Sequence, residues 1–314
     1  MKSKNKINPE LERIMEGFPI IDLHNRTIPE DFVLPKLEKS PLVKTSTRMI
    51  QGPETDLLMK IYEPVNKTES YLPAFMWMHG GGYIMGHPDL DDNLCEQFVL
   101  NANCIVCSID YRLAPDHTYP AAIEDCYSGL KWMVKYADEL QIDSSRIAIG
   151  GASAGGGLTA ALALLARDRG GPEIILQMPL YPMIDDRNIT PSSHEINKDN
   201  FPNVWNREMN QQAWGMYLGT APSNAHISYA AAARARDLTG LPPAYTCVGA
   251  LDPFRDETIE YVARLAQADV PVEFHLYPGC YHGFDSIYND AEISRRARKE
   301  YIDALARGLN PKKY

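Results

Sequence analysis

Ser153 stands in Gly151-Ala152-Ser153-Ala154-Gly155, directly after the apolar run Ile147-Ala148-Ile149-Gly150 and directly before a stretch rich in Ala and Leu. That is the context of a G-x-S-x-G nucleophile elbow, a serine on a tight turn between a strand and a helix. Side chains at Gly151 or Gly155 would collide with the adjoining elements. The turn lifts Oγ clear of the sheet and beside helix N–H groups that favour developing negative charge. The chemistry on offer is acyl transfer through a serine hydroxyl. The same glycines, with Gly156 and Gly157, also suit a packing turn or a phosphate cradle, so the motif alone does not decide.

A second glycine run narrows the choice. His79-Gly80-Gly81-Gly82 follows the apolar run Ala74 to Met78, and glycines there turn backbone N–H groups inward without a Cβ in the way. The N–H groups of Gly81 and Gly82, with that of Ala154, are candidates to bind a tetrahedral oxyanion. The serine also needs a base, and the base a carboxylate, in the chain order Ser, Asp or Glu, His. Far downstream of Ser153 lie His226, His275 and His282. His275 falls inside the run Val272 to Leu276, where a half-buried structural role fits, and His226 follows no strand. His282 follows the last strand-like run and is the candidate base. Asp252 comes just past the run Tyr245 to Gly249 and is the preferred acid, with Asp256 in reserve. Asp252 before Pro253 also reads as a helix N-cap.

The elements that must hold these groups alternate along the chain. Apolar runs at Met59–Tyr62, Ala74–Met78, Ile105–Asp110, Ile147–Gly150, Ile174–Met178, Tyr245–Val248 and Val272–Leu276 read as strands. Helical stretches at Ile123–Leu140, Leu158–Arg169 and Glu257–Ala268 separate the later ones. The pattern predicts an α/β fold, a mostly parallel sheet with helices on both faces. Leu11, Ile14, Met15 and Phe18 lie on one helical face behind Asn8 and Pro9. Between Ile184 and Pro222 the alternation is interrupted by polar loops and one helix-like segment, capped by Asn206 and ended by Gly219, which reads as a lid.

Composition excludes other classes. The 314 residues carry a formal charge of −10, which repels nucleic acid and anionic membranes. No run of about 18 apolar residues occurs, and the N-terminal residues lack an apolar signal core, so a cytoplasmic protein is expected. Six scattered cysteines suit reduced thiols. Cys104 and Cys107 have C-x-x-C spacing but sit in an apolar run with no second Cys/His pair, so no metal is expected.

Taken together, these residues resemble the hormone-sensitive-lipase family of α/β-hydrolases, over about Lys60 to Phe284. Besides the two glycine motifs, the likeness rests on Asp110-Tyr111-Arg112-Leu113-Ala114-Pro115-Asp116-His117, Tyr119-Pro120-Ala121-Ala122, Asp252-Pro253-Phe254-Arg255-Asp256-Glu257 and His282-Gly283-Phe284. The resemblance implies a triad of Ser153, Asp252 and His282, an oxyanion hole from Gly81, Gly82 and Ala154, and His79 as a support of the glycine loop. It implies hydrolysis of short- to medium-chain carboxylic esters without a cofactor, a small-molecule ester as the partner, and a homodimer. Amides, lactones or carbamates would suit the same triad. Receptor relatives that have lost the histidine differ from this chain, which keeps His282. The implied layout is a cap segment at residues 1–50, a hydrolase core at 51–184, a cap insertion at 185–222 and the rest of the core at 223–314, with Trp205 and Trp214 as pocket residues. Two departures stand out: Ala152 where the family has Asp, and Asp116 where it has Glu.

Overall fold

The structure is a computed structural model and describes residues 6–19, 23, 38–220, 227–285 and 289–310. Among these, eight strands form one sheet: β1 (Val43–Gln51), β2 (Asp56–Pro64), β3 (Leu72–Met78), β4 (Ile105–Asp110), β5 (Ile142–Ala152), β6 (Leu176–Leu180), β7 (Ala244–Leu251) and β8 (Val272–Tyr281). Their spatial order is β1-β2-β4-β3-β5-β6-β7-β8. The β1–β2 and β2–β4 pairs are antiparallel, and every pair from β4–β3 to β7–β8 is parallel. The helices are α1 (Pro9–Glu16), α2 (Asp92–Ala102), α3 (Ala121–Lys135), α4 (Ala137–Leu140), α5 (Ala154–Asp168), α6 (Pro191–Glu195), α7 (Arg207–Leu218), α8 (Arg255–Gln267) and α9 (Glu292–Leu309).

The sheet divides the apolar interior in two. On one side its side chains pack with Leu130 of α3, Leu162 of α5, Trp214 of α7 and Leu265 of α8. On the other they meet Leu11 of α1, Phe98 of α2 and Tyr301 of α9. Strands covered on both faces are almost wholly apolar, as in β3 and β7, where every residue is buried and Thr246 is the one hydroxyl-bearing aliphatic side chain.

Three elements depart from the sequence expectation for identifiable reasons. Residues 43–50, assigned to the N-terminal cap segment, are strand β1. Its sequence Val43-Lys44-Thr45-Ser46-Thr47-Arg48 is polar because both faces of this edge strand are largely solvent-exposed, so no apolar alternation marks it. Helix α5 starts at Ala154, four residues before the predicted Leu158, although glycines fill its first turn. A Cβ on Gly155 would lie 2.0 Å from the Met78 carbonyl oxygen, so close packing against β3 overrides helix propensity there. The single helix read over Ile123–Leu140 is two, broken at Tyr136. The lid-like insertion between β6 and β7 carries α6 and α7; α7 is capped by Asn206, whose side chain accepts from the Met209 N–H, and it stops at Gly219.

Cys104 and Cys107 sit on opposite faces of the sheet, one in each half of the core, because three residues along a strand reverses the side-chain direction. Their spacing has no chelating geometry. No helix among the described residues is long and apolar enough to cross a membrane.

Candidate active site

Each sequence-predicted site element follows the C-terminal end of a parallel strand. His79–Gly82 follow β3, Ser153 follows β5, Asp252 follows β7 and His282 follows β8. In an open α/β sheet such ends converge on one crevice, so groups 129 and 30 residues apart in sequence come to one point.

Ser153 has φ 58° and ψ −116°, a left-handed conformation rare for a residue with a side chain. The surroundings hold it there. Its N–H donates to the Leu180 carbonyl at 2.9 Å, and its carbonyl accepts from Gly157 at 2.9 Å and Met183 at 3.0 Å. Oγ lies 2.8 Å from His282 Nε2, and His282 Nδ1 lies 2.7 Å from Asp252 Oδ2. Asp252 is fully buried, and its other oxygen accepts from the Phe254 N–H at 2.8 Å. A carboxylate only accepts, so the imidazole proton belongs on Nδ1 and Nε2 is left to accept from the serine hydroxyl.

The imidazole is boxed by rings. Tyr181 and Phe254 meet it edge-on, with centroids at 5.2 and 4.9 Å, and Trp205 lies at 6.3 Å. Neither Tyr181 nor Phe254 was singled out from sequence. Tyr181 is detectable only as the residue directly after β6, one strand from the elbow.

The glycine loop adopts the backbone that its composition permits. Gly81 and Gly82 have φ of +119° and +62°, and a Cβ on Gly81 would fall 2.1 Å from the Met85 carbonyl oxygen. Both line the same cavity as Ser153 and His282. Ala154 begins α5, so its N–H lies outside the helix's own ladder. His79 is buried and does not touch the serine. Its Nδ1 is 2.8 Å from the Gly80 carbonyl, and its ring stacks on Tyr111 at 4.2 Å while the Tyr111 hydroxyl donates to the His79 carbonyl at 2.8 Å. Burial, only partly offset by the Gly80 contact, pushes its pKa down to about 4, so the ring is a neutral prop.

The remaining candidates separate cleanly. Asp256 faces α6, accepting from the Ser192 N–H at 2.7 Å and pairing with Arg255 at 2.7 Å. His275 pairs with Glu273 at 3.1 Å on β8. His226 lies outside the described residues. Trp205 lines the cavity, and its ring would meet a Cβ on Gly82 at 2.5 Å. Trp214, expected in the pocket, belongs instead to the core: it is 2% exposed and packs on Tyr83 and Tyr217, because α7 turns the face carrying Ala213, Trp214 and Tyr217 inward. The cavity encloses about 300 Å³. Ala152 is also in its wall, so the family's Asp at that position adds no charge here. Among the described residues no cluster of His, Cys, Asp or Glu is arranged to hold a metal.

A hydroxyl on a strand-to-helix turn, with a carboxylate and then an imidazole following two later strands of the same mostly parallel sheet, has the arrangement and chain order of an α/β-hydrolase. Residues 75–286 match the model of a family described as alpha/beta hydrolase fold. The chain is 37% identical over 252 residues to esterase LipI of Mycobacterium tuberculosis, covering 80% of this chain and 78% of that protein. It is 32% identical over 313 residues to carboxylesterase NlhH of the same species, covering 97% of each. A solved structure of a bacterial heroin esterase superposes with a TM-score of 0.88 at 34% identity, covering 97% of this chain and 98% of that one. The chain belongs to the hormone-sensitive-lipase family of α/β-hydrolases and is a carboxylesterase.

Proposed function

We propose that the chain hydrolyses esters of short- to medium-chain carboxylic acids through an acyl-enzyme on Ser153, with His282 as general base and acid and Asp252 as its orienting carboxylate. The reading rests on the continuous relay of 2.8 Å from Oγ to Nε2 and 2.7 Å from Nδ1 to Oδ2. Oγ attacks the ester carbonyl while Nε2 takes its proton, and the resulting imidazolium is stabilised by Asp252. The oxyanion is received by the N–H groups of Gly81, Gly82 and Ala154. The imidazolium then protonates the departing alkoxide, and a water, deprotonated by Nε2, attacks the acyl-enzyme. Acid leaves and the hydroxyl is restored.

The cavity supports the proposed size limit. Its volume of about 300 Å³ lies at the low end of small-molecule sites, and Trp205 with Leu90 and Leu94 gives it apolar wall for a modest acyl chain. In turnover of p-nitrophenyl esters of increasing acyl length, kcat/KM should peak at short to medium chains, and Ser153→Ala should abolish it. Equal activity in that variant would overturn the assignment.

A further inference from the structure

Ser153 shares its left-handed backbone with a second residue of the site. Tyr83, directly after the oxyanion glycines Gly81 and Gly82, has φ 65°. For a bulky aromatic residue this is a true outlier, and it persists only where the surroundings hold it. Three contacts do so. The Tyr83 carbonyl accepts from the Ala114 N–H at 2.9 Å, its ring stacks on Tyr217 of α7 with centroids 4.0 Å apart, and its hydroxyl donates to the Met183 carbonyl at 2.7 Å. The side chain is buried.

That carbonyl belongs to the residue that also supports the nucleophile. Met183 donates its N–H to the Ser153 carbonyl at 3.0 Å. The peptide between Met183 and Ile184 is gripped on both sides, its carbonyl by the Tyr83 hydroxyl and its N–H by Glu257 Oε1 at 3.1 Å. Met183 and Ile184 are fully buried and Glu257 is 3% exposed, so bulk water does not stand in for either partner. Helix α5 leaves room for the hydroxyl: a Cβ on Gly157 would lie 2.0 Å from it and 2.2 Å from the Met183 carbonyl oxygen. Two strained residues, one bearing the nucleophile and the other following the glycine loop, are thus joined through Met183.

We propose that Tyr83 and Glu257 are positioning residues for ester hydrolysis. By fixing the Met183–Ile184 peptide they hold the Ser153 turn and the glycine loop at one separation, so that Oγ and the oxyanion donors face the same point. Both roles rest on the serine-esterase reading and deepen it. Neither side chain lines the cavity, so each acts through the backbone it grips. Without the Tyr83 hydroxyl the Met183 carbonyl is left unmatched in a dry site, and the segment that braces the Ser153 carbonyl shifts toward another partner. A misplacement of about 1 Å in such a site costs about a hundredfold in rate. Acylation and deacylation use the same oxyanion donors, so kcat should fall while KM changes little.

The test reads p-nitrophenyl butanoate turnover per active site, counted by phosphonate labelling taken to completion so that any misfolded fraction drops out. Tyr83→Phe keeps the ring and removes the hydroxyl; kcat should fall about ten- to a hundredfold with KM within about threefold. Inhibition by 1,1,1-trifluoropentan-2-one, whose adduct on Oγ places an oxyanion among the same N–H groups, should weaken by a similar factor. Tyr127→Phe is the matched control. It removes a tyrosine hydroxyl that donates to the Gly171 carbonyl at 2.9 Å, away from the cavity wall, and should lower stability with kcat unchanged. Glu257→Met removes the grip on the Ile184 N–H and should reproduce the loss in kcat, whereas Glu257→Gln keeps an acceptor there and should stay within about threefold of the wild type. The Glu257 pair decides the matter even where Tyr83→Phe does not fold. A loss in Tyr83→Phe below about threefold, a loss matched by Tyr127→Phe, an unweakened ketone, or equal kcat in the two Glu257 variants overturns the positioning roles and leaves ester hydrolysis standing. Failure of the wild type to cleave the ester overturns the esterase reading and these roles with it.

Discussion

Replacing Asp252 with Asn tests the relay at its most buried point. The side chain makes two contacts: one oxygen accepts from the Phe254 N–H at 2.8 Å and the other from His282 Nδ1 at 2.7 Å. An amide has one acceptor and one donor end. If its NH2 faced Phe254, two donors would oppose each other in a site of zero exposure, a penalty of about 1–3 kcal/mol for the unmatched group. The amide oxygen should therefore stay on Phe254 and the NH2 turn to the imidazole. Nδ1 must then accept, its proton moves to Nε2, and Nε2 points an N–H at Ser153 in place of a lone pair. The geometry survives while the base is lost. A wrong tautomer in such a relay costs about 10⁴ in kcat, or about 5 kcal/mol of barrier. The measurement is p-nitrophenyl butanoate turnover from pH 6 to 10, with circular dichroism and thermal melting to establish that the variant is folded. Residual activity should rise with hydroxide, since solvent base replaces the imidazole. A folded variant that loses less than about tenfold would refute the tautomer argument and, with it, the assignment of Asp252 as the orienting carboxylate.

Two further substitutions separate chemistry from support. Asp256→Asn removes an ion pair with Arg255 and weakens the anchor on the Ser192 N–H, so it should lower stability by about 1–2 kcal/mol in urea unfolding with kcat changed less than about threefold. A loss in kcat near a thousandfold would move the acid's role to Asp256. His79 titrates near 4 in the folded chain against an ordinary 6.5. Between these values the unfolded chain binds the extra proton, so this residue's contribution is intact above pH 6.5 and falls by about 3 kcal/mol as pH drops through 4. His79→Gln should flatten that limb of a stability curve measured by urea midpoints from pH 4 to 7, and an unchanged slope would show that the acid sensitivity arises elsewhere.

What could be read from the sequence followed from where each residue sits in the topology. Ser153, Asp252 and His282 were recognisable because each comes directly after an apolar run, and a parallel sheet gathers all such positions at one edge. No comparable rule reaches β1, whose two faces meet water, or Trp214. Trp205 and Trp214 are nine residues apart around the start of α7, and only the direction of that helix decides that one faces Gly82 and the other Tyr83. Asp91 and Asp285 are harder still. Asp91 lies in Asp89-Leu90-Asp91-Asp92, which carries no pattern that marks a cavity wall, and nothing in the chain order pairs it with a residue 194 positions later. Both line the cavity in the folded chain, where α2 and α9 pack on the same side of the sheet and Phe98 lies against Tyr301 at a centroid distance of 6.0 Å. The reaction is thus fixed by strand ends, which sequence pattern marks, whereas the substrate wall is fixed by helix-to-helix contacts, which it does not. Family likeness can therefore carry the chemistry to this chain while the choice of ester has to be settled on its own residues.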